Sequence, residues 1–106
     1  MRIYVAGPYT KGDVAVNVRN AILAGEQVAA MGHIPFIPHL THFWHLVCPH
    51  DVKFWYEQDL VWLRQCEALL RLPGESTGAD EEVRLAQELG LPVFRSIERI
   101  PALEIR

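Results

Sequence analysis

Four short apolar runs alternate along this chain with longer stretches of helical periodicity, and each run is bounded by Gly- or Pro-containing polar segments. The runs are Arg2 to Ala6, Ile34 to Ile37, Ala68 to Leu72 and Leu91 to Phe94. A strand, a Gly-containing loop, a helix and a second strand make a βαβ unit, and here the order reads βαβαβαβ. The expected fold is therefore α/β, a mainly parallel sheet of four or five strands with helices on both faces. Such sheets bind ligands at the carboxyl ends of their strands, so the loops that follow the strands are where function should be sought.

The local signals agree with this order. The first strand stops at Gly7-Pro8, and the loop Gly7-Pro8-Tyr9-Thr10-Lys11-Gly12 leads to Asp13, a good N-cap. Val14, Val18, Ala21, Ile22, Gly25, Val28 and Ala29 give the first helix an apolar face, with Gly32 as its stop. Ile34 to Ile37 reads as a short buried strand broken by Pro35 and Pro38. From His39 to His50 the chain reads as an aromatic, histidine-rich connection, longer than most. Asp51 then caps a helix running to about Gln65, whose apolar face holds Val52, Tyr56, Leu60 and Leu63, flanked by Trp55 and Trp62. Past the fourth strand, Ile97, Ile100, Leu103 and Ile105 offer either a further strand or a surface for a partner subunit.

At 106 residues the chain is expected to form one domain, 1–106, with a single core. A net charge of −3 without a Lys/Arg stripe argues against binding polymeric nucleic acid. Cys48 and Cys66 stand alone, which predicts neither a disulfide framework nor a cysteine metal site. No run of about 18 apolar residues and no cleavable leader is found, so a cytoplasmic protein without a membrane partner is expected.

The segment from Gly74 to Gly90 carries the most chemistry. A polar Gly-containing loop opens a helix there, presenting backbone N–H groups and a positive dipole end to a ligand. Ser76, Thr77 and the N–H groups near Gly78 form the better anion site; Thr10 and Lys11 of the first loop suit an anion or a solvent-exposed turn equally well. On that helix Ala79, Val83, Ala86 and Leu89 make an apolar stripe, and Glu82 falls inside it. Glu82 either points inward or reaches water from the stripe's edge. Asp80 with Arg84, and Arg84 with Glu88, are spaced for i,i+4 pairs on the helix. Asp59 falls in the middle of the preceding helix's apolar face, where a carboxylate is costly unless paired, hydrogen-bonded or protonated. It either serves structure, by capping a loop or pairing with Arg71, or serves function, as the inward placement of Glu82 suggests.

Other chemistries find less support. The first loop is not a dinucleotide fingerprint, because Pro8 removes a backbone donor. His39, His42 and His45 lie three apart, but contact with ligand or partner fits them better than a metal. Phe43 and Trp44 are suited to stacking on a planar base, to filling the core or to an interface. Neither cysteine has a basic partner, and Ser76 is in no nucleophile elbow. What survives is a pair of inward acids beside an anion-friendly loop, an arrangement suited to glycosidic cleavage.

Ile3-Tyr-Val-Ala-Gly-Pro8, Glu57-Gln-Asp-Leu60, Cys66-Glu-Ala-Leu-Leu-Arg-Leu72 and Ser76-Thr-Gly-Ala-Asp-Glu-Glu82 resemble the nucleoside 2-deoxyribosyltransferase-like superfamily. They are most similar to its small bacterial and phage branch and to the 2′-deoxynucleoside 5′-phosphate N-hydrolases, from Arg2 to about Phe94. The resemblance implies a flavodoxin-like Rossmann variant, assembled as a homodimer or larger with sites near subunit interfaces. It implies Glu82, four residues after Gly78, as the nucleophile at the anomeric carbon. Asp59, in its Asp-Leu pair, is implied to assist at the base, and Tyr4 to orient Glu82. Ser76 matches the serine of the phosphate-preferring hydrolases. Two departures stand out: the first loop lacks the arginine of those hydrolases, and no Asn follows Asn20 to supply the residue that transferases take from a neighbouring subunit.

The expected function is cleavage of the N-glycosidic bond of a small-molecule (2′-deoxy)nucleoside or 5′-monophosphate, with no cofactor and no metal. Gly7, Pro8, Tyr9, Thr10, Ser76 and Gly78 are expected to hold the sugar or phosphate, and His42 or Trp44 to cover the base. The alternatives are a transferase moving deoxyribose between bases, a nucleotide-binding module without turnover, and a structural homodimer domain.

Overall fold

The computed structural model describes residues 1–103. It contains β1 (Arg2–Ala6), α1 (Val14–Ala30), β2 (Ile34–Phe36), α2 (His42–Val47), α3 (Val52–Arg64), β3 (Ala68–Arg71), α4 (Thr77–Glu88) and β4 (Val93–Phe94). The four strands form one parallel sheet in the order β2-β1-β3-β4, the expected α/β architecture. β1 and β3 are the central strands and are buried on both faces, which explains their unbroken apolar character. Tyr4 and Ala6 point to one side, where Leu69 joins Leu63 of α3 and Ala79, Val83 and Ala86 of α4. Ile3, Val5 and Leu70 point to the other, against Ala24 and Val28 of α1 and Ile100. Helices therefore cover both faces.

Several expectations need correction. The Ile34 run is an edge strand, not a buried one: Ile34 is 65% exposed, and Pro35 is tolerated because an edge strand has a free side. On α1 the buried line is Val18, Ala21, Ala24, Gly25 and Val28, while Ile22 and Ala29 turn outward. The reason is Gly25, where an added Cβ would lie 2.2 Å from Ile37 Cδ1, so the helix lies close on the sheet through its small residues. On α3 only Leu63 is buried; Tyr56, Asp59 and Leu60 are half-buried, and Val52 and Trp62 are exposed.

The segment after β2 is not an irregular connection. It forms a 3-10 turn, Pro38–Thr41, which runs straight into α2. Pro38 opens the turn and the Thr41 hydroxyl donates to its carbonyl at 2.8 Å. The fourth strand shrinks to Val93–Phe94. Beyond it the chain makes a 3-10 turn at Ile97–Arg99 and buries Ile100, so no fifth strand forms among the described residues. The Leu103 N–H donates to the Met31 carbonyl, and Ile105 lies outside the described residues. No helix among the described residues is long and apolar enough to cross a membrane.

Candidate active site

In the order β2-β1-β3-β4 the chain leaves β1 to one side and returns on the other. The carboxyl ends of β1 and β3 therefore flank the crevice where such sheets bind ligands. The two loops there touch. A Cβ on Gly7 would lie 3.0 Å from Leu72 Cβ, and one on Gly74 would lie 2.8 Å from Pro8 Cγ, with Gly74 at a φ of +113°. Only glycine fits both the conformation and the contact at Gly74. Over these loops opens a cavity of about 640 Å³, walled by the loop after β1, the turn after β2, the first half of α3 and the start of α4.

The start of α4 faces this cavity. Ser76 is the N-cap, its Oγ accepting from the Ala79 N–H at 3.1 Å. Thr77 and Gly78, in the helix's first turn, leave N–H groups without intrahelical partners at the cavity wall. Arg71, 7% exposed at the end of β3, fastens this turn: its guanidinium donates to the Leu72 carbonyl, to the Gly74 carbonyl at 2.9 Å and to Asp80 at 2.9 Å. Asp80 thus pairs with Arg71 rather than with Arg84, and Arg71 is not the partner of Asp59.

Glu82 points inward and is 7% exposed. Its Oε2 accepts a hydrogen bond from the hydroxyl of Tyr4, which is fully buried on β1. Burial pushes the Glu82 carboxyl up to about 7, with Asp59 adding to the rise and the Tyr4 hydroxyl and the Arg71 charge opposing it. Burial likewise raises Asp59 to about 7. Tyr4 stays a phenol, its pKa raised first by burial and then by Glu82 and Asp59. Asp59 and Glu82 both line the cavity, so two carboxyls from different helices share one low-dielectric space and hold protons near neutrality. Such a pair can attack an electrophilic carbon with one member and deliver a proton with the other.

Gly7, Tyr9, Thr10, Ser76 and Gly78 also line the cavity. Pro8 contributes its carbonyl instead, accepting from the buried His39 Nε2–H at 2.9 Å; burial lowers the His39 pKa. His42 and Trp44 are not among the residues that line the cavity. The His42 Nδ1 is 2.6 Å from the Tyr9 hydroxyl, and Trp44 packs edge-on to Trp55 with ring centroids 4.8 Å apart. The aromatic wall is built by Trp55 and Tyr56 of α3, together with His45 and His50. Trp55 and Tyr56 lie one turn before Asp59, on the same helical face, and that i,i+3/i+4 relation was the signal in the sequence. Lys11 and Glu75 pair at 3.4 Å across the rim. His39, His42 and His45 each use a ring nitrogen on a different partner.

Comparison with known proteins gives a family and a fold. A family model described as a domain of unknown function, DUF7768, matches residues 1–96. No curated protein sequence matches. Among solved structures, a 2-deoxyribosyltransferase from the psychrotolerant bacterium Bacillus psychrosaccharolyticus superposes with a TM-score of 0.67 at 20% identity. That match covers 88% of this chain and 69% of the other. The expected deoxyribosyltransferase-like Rossmann fold is therefore shown.

Proposed function

The chain belongs to the DUF7768 family, and we propose that it cleaves the N-glycosidic bond of a (2′-deoxy)nucleoside or nucleoside 5′-monophosphate. The observation that carries this reading is the pairing of Glu82 and Asp59 in one cavity, both raised to about 7, with the Tyr4 hydroxyl donating to Glu82. The fold shared with a 2-deoxyribosyltransferase supports it.

In the proposed reaction a Glu82 oxygen attacks C1′ as the bond to the base breaks. The bonding electrons leave with the base nitrogen, which takes the proton held by Asp59. A water molecule then gives its proton to the Asp59 carboxylate and attacks C1′, releasing the sugar and regenerating Glu82. Tyr4 fixes the Glu82 rotamer and supports its negative charge. Gly7, Thr10, Ser76 and Gly78 hold the sugar or its phosphate, and Trp55 takes the base-covering role expected of Trp44. Phe43, Leu46, Val47 and Val52, all more than half exposed, offer an apolar face for a homodimer beside this wall.

Incubation with a panel of nucleosides and 5′-monophosphates, followed by chromatography of the free base, tests the reading. Release that disappears in Glu82→Ala supports it. Ligand-induced thermal stabilisation without release from any substrate would leave a binding module instead.

A further inference from the structure

The histidine-rich segment between β2 and α3 has no part in the reaction just described, yet one of its imidazoles is held in a single defined state. His45 Nδ1 accepts from the Trp55 indole N–H at 2.8 Å and lies 3.3 Å from the His50 backbone N–H, which also donates to it. An indole nitrogen and a backbone amide donate and never accept. The Nδ1 position must therefore carry a lone pair, and in the neutral ring the proton sits on Nε2. Two donors from two elements, Trp55 on α3 and His50 before it, fix both tautomer and ring plane. No hydrogen bond among the described residues uses Nε2, and His45 lines the cavity beside Trp55, Tyr56 and His50.

We propose that His45 is a base-specificity residue, donating its Nε2–H to an oxo group of the nucleobase, so that the site favours hypoxanthine, guanine, uracil or thymine over adenine and cytosine. This rests on the nucleoside reading of the cavity. A fixed N–H donor rewards a carbonyl and opposes an exocyclic amino group, because two donors facing each other leave both unpaired. Two groups on the cavity wall would favour an amino base instead. The Thr41 hydroxyl gives its proton to the Pro38 carbonyl at 2.8 Å and so presents only lone pairs to a ligand, and Asp51 has one oxygen capping the Phe54 N–H at 2.9 Å and another left to accept. The Tyr9 hydroxyl is engaged with His42.

The test compares kcat/KM, and binding to Glu82→Gln protein, for deoxyinosine against deoxyadenosine and deoxyuridine against deoxycytidine. Wild type should favour the oxo base, and His45→Phe should shrink that ratio by about tenfold, the loss of one neutral hydrogen bond. In a ¹⁵N-resolved spectrum of the neutral ring, His45 should show a bare Nδ1 and a protonated Nε2, with the preference weakened in Trp55→Phe. A ratio unchanged in folded His45→Phe, or a protonated Nδ1, overturns the assignment and leaves the cleavage reading standing. So does an amino-base preference abolished by Asp51→Asn. Absence of binding by every nucleoside and nucleotide overturns both.

Discussion

Removing the Tyr4 hydroxyl tests the electrostatics of the pair most directly. Tyr4 is fully buried and Glu82 is 7% exposed, so Tyr4→Phe keeps the ring's packing while water has little room to replace the lost donor. A hydrogen bond to a charged group contributes about 1.5 to 3 kcal/mol. At 1.36 kcal/mol per pKa unit, its loss raises the Glu82 pKa by roughly 1 to 2 units. Starting from about 7, the ionised fraction at neutral pH falls from about half to between roughly one tenth and one hundredth. Base release at pH 7 should drop roughly 5- to 50-fold, and in the pH–rate profile the gap from wild type should close above the new Glu82 pKa, where loss of the Asp59 proton slows both proteins alike. The assay is that profile, paired with a ¹³C titration of the Glu82 carboxyl, which needs no turnover. An equal loss at every pH in a folded Tyr4→Phe protein, or an unmoved Glu82 titration, would refute the argument.

Two further outcomes concern stability. The Glu82 pKa is raised on folding from 4.5 to about 7, so between those values the folded state keeps a proton that the unfolded chain releases, and stability falls as pH rises through that window. Glu82→Gln removes this penalty and should unfold at a higher temperature than wild type at pH 8, by up to about 3 kcal/mol in stability, with the gap closing near pH 4. A gap independent of pH in thermal unfolding would contradict this. Gly74→Ala should cost about 1 to 3 kcal/mol in urea unfolding, because its φ is +113° and the new methyl meets Pro8; an unchanged midpoint would show that the two loops separate freely.

Much of the fold was legible because its signals are local and periodic. β1 and β3 are unbroken apolar runs, and Asp13, Asp51 and Ser76 cap the helices they precede. Helical period puts Glu82 in its apolar stripe, pointing inward or reaching water, and Asp59 in the middle of its apolar face; the structure buries the first and half-buries the second. Where a feature depended on distant partners, the sequence was silent. A short apolar run reads the same at the edge of a sheet as at its centre, so nothing local in Ile34 to Ile37 marks the edge position. Asp80 had a helical neighbour at the right spacing in Arg84, but Arg71, nine residues earlier, offers a buried guanidinium beside the same turn. Trp44 and Trp55 are equally aromatic on paper; the packing of α2 on α3 sets Trp55 in the cavity wall and turns Trp44 edge-on behind it. Tyr4 and Glu82 are 78 residues apart; no local periodicity joins them, and only the family resemblance points to Tyr4 as the residue that orients Glu82.

In the proposed reaction two acids raised to the same range must divide the work, with the charge on Glu82 and the proton on Asp59. Burial raises Asp59 and disfavours its charge. Glu82 carries the same penalty, and the charges of Asp59 and Glu81 add to it, while the Tyr4 hydroxyl on the central strand and the Arg71 guanidinium at the end of its neighbour favour its charge. Those two supports are what the proposed division rests on. Both supports of Glu82 come from β1 and β3, the strands buried on both faces, whereas Asp59 rides on a helix with one fully buried residue. In the proposed reaction the attacking group is therefore held by the two strands buried on both faces, and the proton donor by a half-buried position on α3.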